Sequence, residues 1–172
     1  MDILLETERL ILRRLTIADA ESVYAIRLEI AKSSDVPTLD DTRNRWLPFI
    51  LSYYQEGHGF GYWAAIEKVT NEFIGWFYFR SAPNKATETA IGYFLKRSAW
   101  GKGYATEGAR ALILKGFTEL RVKRVVATAL TCNIASIRVM EKVGLRFEKL
   151  FTDDASGTEA LRYCLLREDF DA

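Results

Sequence analysis

A chain of 172 residues, 49% of them hydrophobic, supplies one core and leaves little for a second. Its 24 Lys and Arg against 23 Asp and Glu give a net charge of +1, without the basic excess that phosphate-backbone binding needs, so nucleic acid is not an expected partner. No apolar run approaches the roughly 18 to 20 residues of a membrane span, and Met1-Asp2-Ile3-Leu4-Leu5-Glu6 has acids where a secretory leader has bases. The expectation is a cytoplasmic protein without a membrane partner. Cys132 and Cys164 lack CxxC spacing and His58 is the single histidine, so neither a structural metal nor a disulfide is expected.

Residues 9–15 alternate as a strand, with Leu10 and Leu12 on one face. Thr16-Ile17-Ala18-Asp19 is a Thr-x-x-acid helix start, and Ala20, Val23, Tyr24, Arg27 and Leu28 continue at helical spacing to about Ile30. Residues 32–41 read as a polar loop. Trp46, Leu47, Ile50, Leu51 and Tyr54 form a helical stripe over residues 42–55, interrupted early by Pro48 and stopped by Gly57-His58-Gly59. Strands are expected at 60–67, 72–80 and 89–96 as an antiparallel meander, with the turn-rich 81–88 as its looser second connection. Ala105, Ala109, Leu112, Ile113, Gly116 and Phe117 then recur with helical period, and 122–131 reads as a buried strand. Asn133 caps a helix carrying Ile137, Met140 and Val143 and ended by Gly144, and strands at 145–151 and 159–167 follow. The fold class is α+β: a mixed, mostly antiparallel central sheet flanked by helices, in a single domain over residues 1–172.

Trp100-Gly101-Lys102-Gly103-Tyr104-Ala105-Thr106-Glu107 joins a strand to a strongly amphipathic helix. Glycines there let main-chain N–H groups converge on an anion at a helix N-terminus, a phosphate or pyrophosphate seat; the alternative is a helix start that tolerates glycine for structural reasons alone. The chain has no GxxxxGK[ST] and no GxGxxG after a first parallel strand, which excludes a P-loop and a Rossmann site.

Residues 100–105 resemble the [Gln/Arg]-x-x-Gly-x-[Gly/Ala] pattern of the Gcn5-related N-acetyltransferases, except for Trp100 at the first position. With Leu5-Glu6-Thr7-Glu8-Arg9-Leu10-Ile11-Leu12-Arg13, Ile91-Gly92-Tyr93 and Asn133-x-x-Ser136-x-x-Val139-Met140-Glu141-Lys142-x-Gly144, the chain resembles the branch that acetylates ribosomal-protein N-termini. The resemblance implies a sheet splayed at the coenzyme site, acetyl-CoA as cosubstrate, and acetyl transfer to a primary amine by direct attack in a ternary complex. The implied acceptor is a protein N-terminal amine; the alternatives are a small amino acid or drug amine, or CoA binding without turnover. A homodimer is compatible with it. The resemblance further implies that pyrophosphate lies on the amides of Gly101, Lys102, Gly103, Tyr104, Ala105 and Thr106. Pantetheine would pair with the main chain of Phe94 and Leu95, peptide-like ligand against open strand edge. Asn133 would lie near the pantetheine arm as well as capping its helix.

Such a transfer needs a base for the ammonium, a donor to the oxyanion and an acid for the departing thiolate. Many relatives place a tyrosine seven residues after the Asn; that position is Met140, which cannot donate. Ser136 is the candidate acid, or else a polar residue closing the cap. In this branch an acid often precedes Ile-Gly-Tyr, and that position is Ala90. Glu88, two residues earlier on the same strand face, is the candidate base, with a solvated loop-end carboxylate as the alternative and water-mediated deprotonation as the fallback. Glu107 is read as facing the helix dipole, Cys132 as a buried strand-end residue, and Lys102 as either a phosphate neighbour or a solvated surface lysine. The mid-chain aromatic residues are read as core, with one or two facing the acceptor.

Overall fold

The computed structural model describes residues 2–30, 38–56, 59–82, 85–153 and 157–170. Among the described residues, eight strands hydrogen-bond in the order β1-β2-β3-β4-β5-β6-β8-β7. They are β1 (Ile3–Glu6), β2 (Leu10–Arg14), β3 (Gly61–Glu67), β4 (Glu72–Ala82), β5 (Lys85–Leu95), β6 (Arg124–Leu130), β7 (Arg146–Asp153) and β8 (Thr158–Leu166). The β1–β2, β2–β3, β6–β8 and β7–β8 ladders are antiparallel, whereas β5 runs parallel to β6 through Thr89–Val125 and Ala90–Val126. The mixed, mostly antiparallel sheet is therefore as expected. The helices are α1 (Ala20–Ile30), α2 (Leu39–Asp41), α3 (Leu47–Ser52), α4 (Tyr104–Thr118) and α5 (Ile134–Lys142).

The chain divides into two compact units, one of residues 1–78 with 93–108 and one of residues 79–92 with 109–172. In the first, Leu15, Val23, Ile26, Leu47, Ile50 and Trp76 form a buried cluster, so the 3.6-residue spacing of α1 and the pleat of β4 point apolar side chains at one another. Thr16 opens α1 as the sequence implies: its backbone N–H donates to Asp19 Oδ2 at 2.7 Å. The Arg13 guanidinium grips both oxygens of the same carboxylate at 2.7 and 2.8 Å. In the second unit, Phe79, Ile113 and Val125 are fully buried, and the Phe117 and Phe170 rings meet at 5.1 Å.

Four expectations need correction. β1 was not foreseen; Ile3–Glu6 is too short to show a period and gains its strand character by pairing with β2. Of the polar loop at 32–41, residues 39–41 are helical, begun by the Thr38 hydroxyl accepting the Asp41 N–H at 3.0 Å; residues 32–37 lie outside the described residues. The stripe over 42–55 is not one α-helix: a π-helical turn at Thr42–Trp46 precedes α3, with Pro48 in the first turn of α3, so the break expected near the proline falls directly before it; the expected stop at Gly57 and His58 lies outside the described residues. Finally, β4 runs to Ala82 and β5 starts at Lys85, so most of the supposed 81–88 connection is strand: Lys-Ala-Thr-Glu holds no turn former, and threonine favours a pleated backbone. No helix among the described residues is long and apolar enough to cross a membrane.

Candidate active site

The glycine loop lies in the first unit with Phe94 and Leu95. At the end of β5 the Lys96 N–H bonds to the Ile74 carbonyl at 2.9 Å, a 3-10 turn at Arg97–Ala99 follows, and the Trp100 indole N–H donates to the Leu95 carbonyl at 2.7 Å. Gly101 and Gly103 then take φ of 73° and 84°, left-handed values that cost a side chain about 1 kcal/mol or more. A Cβ at Gly101 would find no atom within 4 Å among the described residues, so the front of the loop is open. Tyr104, Ala105 and Thr106 are the first turn of α4, where amides lack helical acceptors. Left-handed glycines, an open face and a helix N-terminus are the parts an anion seat requires, and the residues fit the phosphates of a coenzyme. Lys102 is exposed, compatible with either reading of it.

Behind the loop lies a network the sequence reading missed. The Glu107 carboxylate accepts the Thr7 hydroxyl at 2.6 Å, the Arg9 backbone N–H at 2.8 Å and Arg9 Nε at 2.7 Å. Arg9 Nη1 reaches the Lys102 carbonyl at 2.9 Å, and the guanidinium carbon stands 4.6 Å from the Tyr104 ring centroid. The Tyr104 hydroxyl donates in turn to Glu67. Burial would push the Glu107 pKa up, but the bonds from Thr7 and Arg9 outweigh it and hold the carboxyl below its ordinary range. Arg9 stands in the Leu5–Arg13 block of the family resemblance, which implies no task for it. The signal that could have found it was a conflict already in the sequence: an acid in the first turn of a helix that must receive an anion calls for a cation beside it.

The second unit holds Glu88, Asn133 and Ser136. Asn133 caps α5 as expected, its Oδ1 accepting the Ser136 N–H at 3.2 Å. Met140 is buried, and Cys132 is exposed in the turn after β6, which corrects its expected place on a buried strand end.

Glu88 is neither at a loop end nor solvated. It lies within β5, 5% exposed, with one oxygen 3.1 Å from Arg124 Nε and the other bonded to Arg162. Glu148 bridges the same two arginines, 2.7 Å from Arg124 Nη2 and 2.8 Å from Arg162 Nε. Two guanidiniums and two carboxylates close a ring over β5, β6, β7 and β8.

In the first unit, Phe49, Tyr53, Tyr62 and Tyr78 form a chain of ring contacts at 5.5 to 5.7 Å, and Trp46 packs on Tyr62 and on Trp76, which stacks on Phe94 at 5.2 Å. Trp63 and Trp76 are core, as expected. Phe94 is 41% exposed, so the strand edge assigned to pantetheine carries an accessible ring.

Comparison with known proteins identifies the family. A family model described as "Acetyltransferase (GNAT) domain" matches residues 9–146. The "Uncharacterized N-acetyltransferase YoaA" of Bacillus subtilis (strain 168) is 30% identical over 149 residues, 84% of each chain. A solved GNAT-family acetyltransferase from Bacillus anthracis superposes with a TM-score of 0.78 at 28% identity, covering 98% of this chain and 99% of that one. RimL, described as a ribosomal L7/L12 alpha-N-protein acetyltransferase in complex with coenzyme A, has a TM-score of 0.82 at 18% identity, covering 96% and 98%.

Proposed function

The chain belongs to the GNAT acetyltransferases and is an N-acetyltransferase; from that premise we propose that it acetylates the α-amine of a protein or peptide N-terminus with acetyl-CoA, in a ternary complex and without a dedicated general base. Acetyl-CoA supplies the activated thioester. The amides of residues 101–106 hold its phosphates, the main chain of Phe94 and Leu95 pairs with its pantetheine, and Asn133 faces that arm. Ser136, in the first turn of α5, protonates the departing thiolate.

The observation that carries the choice of acceptor is the state of Glu88. It is buried, with one oxygen on Arg124 and the other on Arg162, so neither oxygen is left to meet an incoming ammonium. Deprotonation therefore falls to water, and an acceptor that is already partly neutral reacts best. An α-amine, with pKa about 7.7 to 8.0, has a sizeable neutral fraction at neutral pH, whereas a lysine side chain near 10.4 has almost none.

The test is the pH profile of kcat/KM on a peptide with a free N-terminus, for wild type and Glu88→Gln. Both profiles should rise with the amine's own ionisation and level off near its pKa, with the same shape. A limb governed by a group titrating well below the amine, present in wild type and lost in Glu88→Gln, would make Glu88 the base and refute this reading.

A further inference from the structure

We infer that Arg9 is a positioning residue for coenzyme binding: its guanidinium neutralises the Glu107 carboxylate at the N-terminus of α4 and fixes the 101–103 loop, leaving the helix end to an anionic ligand. The inference rests on the coenzyme reading above and adds to it a residue remote in sequence.

The argument starts from an electrostatic conflict. The first turn of a helix favours one negative group, through its unpaired amides and its dipole. Glu107 occupies that turn of α4, so an unshielded carboxylate there would repel the phosphates for which the loop is shaped. The structure turns this carboxylate backwards onto the β1–β2 turn, where the Thr7 hydroxyl and the Arg9 amide, Nε and Nη2 all meet it at 2.6 to 2.8 Å. That is enough to occupy both oxygens.

The same guanidinium has a second edge, and its Nη1 takes the Lys102 carbonyl. A carbonyl so held cannot turn into the anion seat, and the amides on either side are fixed with it. Its face lies over the Tyr104 ring, and its Nη2 is 3.3 Å from where a Cβ on Gly103 would stand. Only a planar fork can serve carboxylate and carbonyl at once; a lysine ammonium could supply the charge but not both edges.

Isothermal titration of CoA into wild type, Arg9→Met, Glu107→Gln, the double variant and Arg9→Lys tests this, with the melting temperature of each ligand-free protein recorded beside it. Arg9→Met should weaken binding about tenfold or more, by exposing the Glu107 charge. Glu107→Gln removes the repulsion at its source, so the double variant should bind more tightly than Arg9→Met even where it melts lower, an order that simple loss of structure does not produce. Arg9→Lys should lose about threefold, keeping the charge without the fork. Unchanged affinity in Arg9→Met or Arg9→Lys, or a double variant no tighter than Arg9→Met, would overturn the inference. Wild type that binds no CoA would overturn the coenzyme reading itself, a result separate from these.

Discussion

The indole N–H of Trp100 donates to the carbonyl of Leu95 at 2.7 Å, closing the turn between β5 and the glycine loop. Tryptophan stands here where the family pattern has glutamine or arginine. All three side chains can donate a hydrogen bond, so the departure still leaves a donor at this position. Trp100→Phe keeps a ring and removes the donor. The KM for acetyl-CoA should rise about three- to tenfold, the range of one lost hydrogen bond, with kcat preserved. A fall in kcat at unchanged KM would show that the contact serves the chemistry and not the turn.

Gly116 lets α4 lie against Phe79. A Cβ there would come 2.5 Å from Phe79 Cζ, and Phe79 is fully buried and has nowhere to retreat. Gly116→Ala gains about 1 kcal/mol of helix propensity, but overpacking of this kind costs about 1 to 3 kcal/mol. Net destabilisation is expected, seen as a lower denaturation midpoint at unchanged m. A higher midpoint would mean that the helix can shift away.

Asp19 sets a pH dependence of stability. Burial would raise its pKa, but the hydrogen bonds from Arg13 and Thr16 outweigh it, so the folded carboxyl titrates below its ordinary range. A depressed folded pKa contributes stability that is complete above the unfolded value, about 3.9, and is lost as pH falls through the folded one. Asp19→Asn should cost about 2 to 4 kcal/mol near neutrality, because Arg13 is left buried with half a partner. The gap between wild type and variant should narrow from about pH 5 downwards. A gap that stays constant would mean that the charge contributes nothing.

Ser136→Ala should lower kcat about 10- to 100-fold with little change in CoA affinity, the pattern of a lost acid. The Ser136 N–H that Asn133 Oδ1 accepts is kept by alanine, so that cap bond should survive the change. Equal kcat in variant and wild type would leave Ser136 as part of the cap alone.

Much of the fold was legible because its signals are local. The Thr16–Asp19 start of α1, the Asn133 cap and the 3.6-residue stripe of α4 each lie within a few residues, and all are found in place. What the sequence hid depends on distant partners. β1 exists through its ladder with β2, and β5 extends past the expected turn to carry Glu88 into a ring formed by residues 36 to 74 positions away. The coenzyme loop was readable from its glycines, but the Arg9 clamp behind it spans 98 residues to Glu107. No windowed pattern contains such a pair.

The central claim is most directly tested by offering the enzyme acetyl-CoA and two otherwise matched peptides, one with a free N-terminus and no lysine, the other blocked at the N-terminus and with one residue replaced by lysine. Acetylated product is measured by mass spectrometry from about pH 6 to about pH 9, a range that spans the α-amine pKa. The account predicts acetylation of the free N-terminus throughout, with its largest advantage over lysine near neutrality. Preference for the lysine peptide, or acetylation of neither at saturating acetyl-CoA, would contradict it.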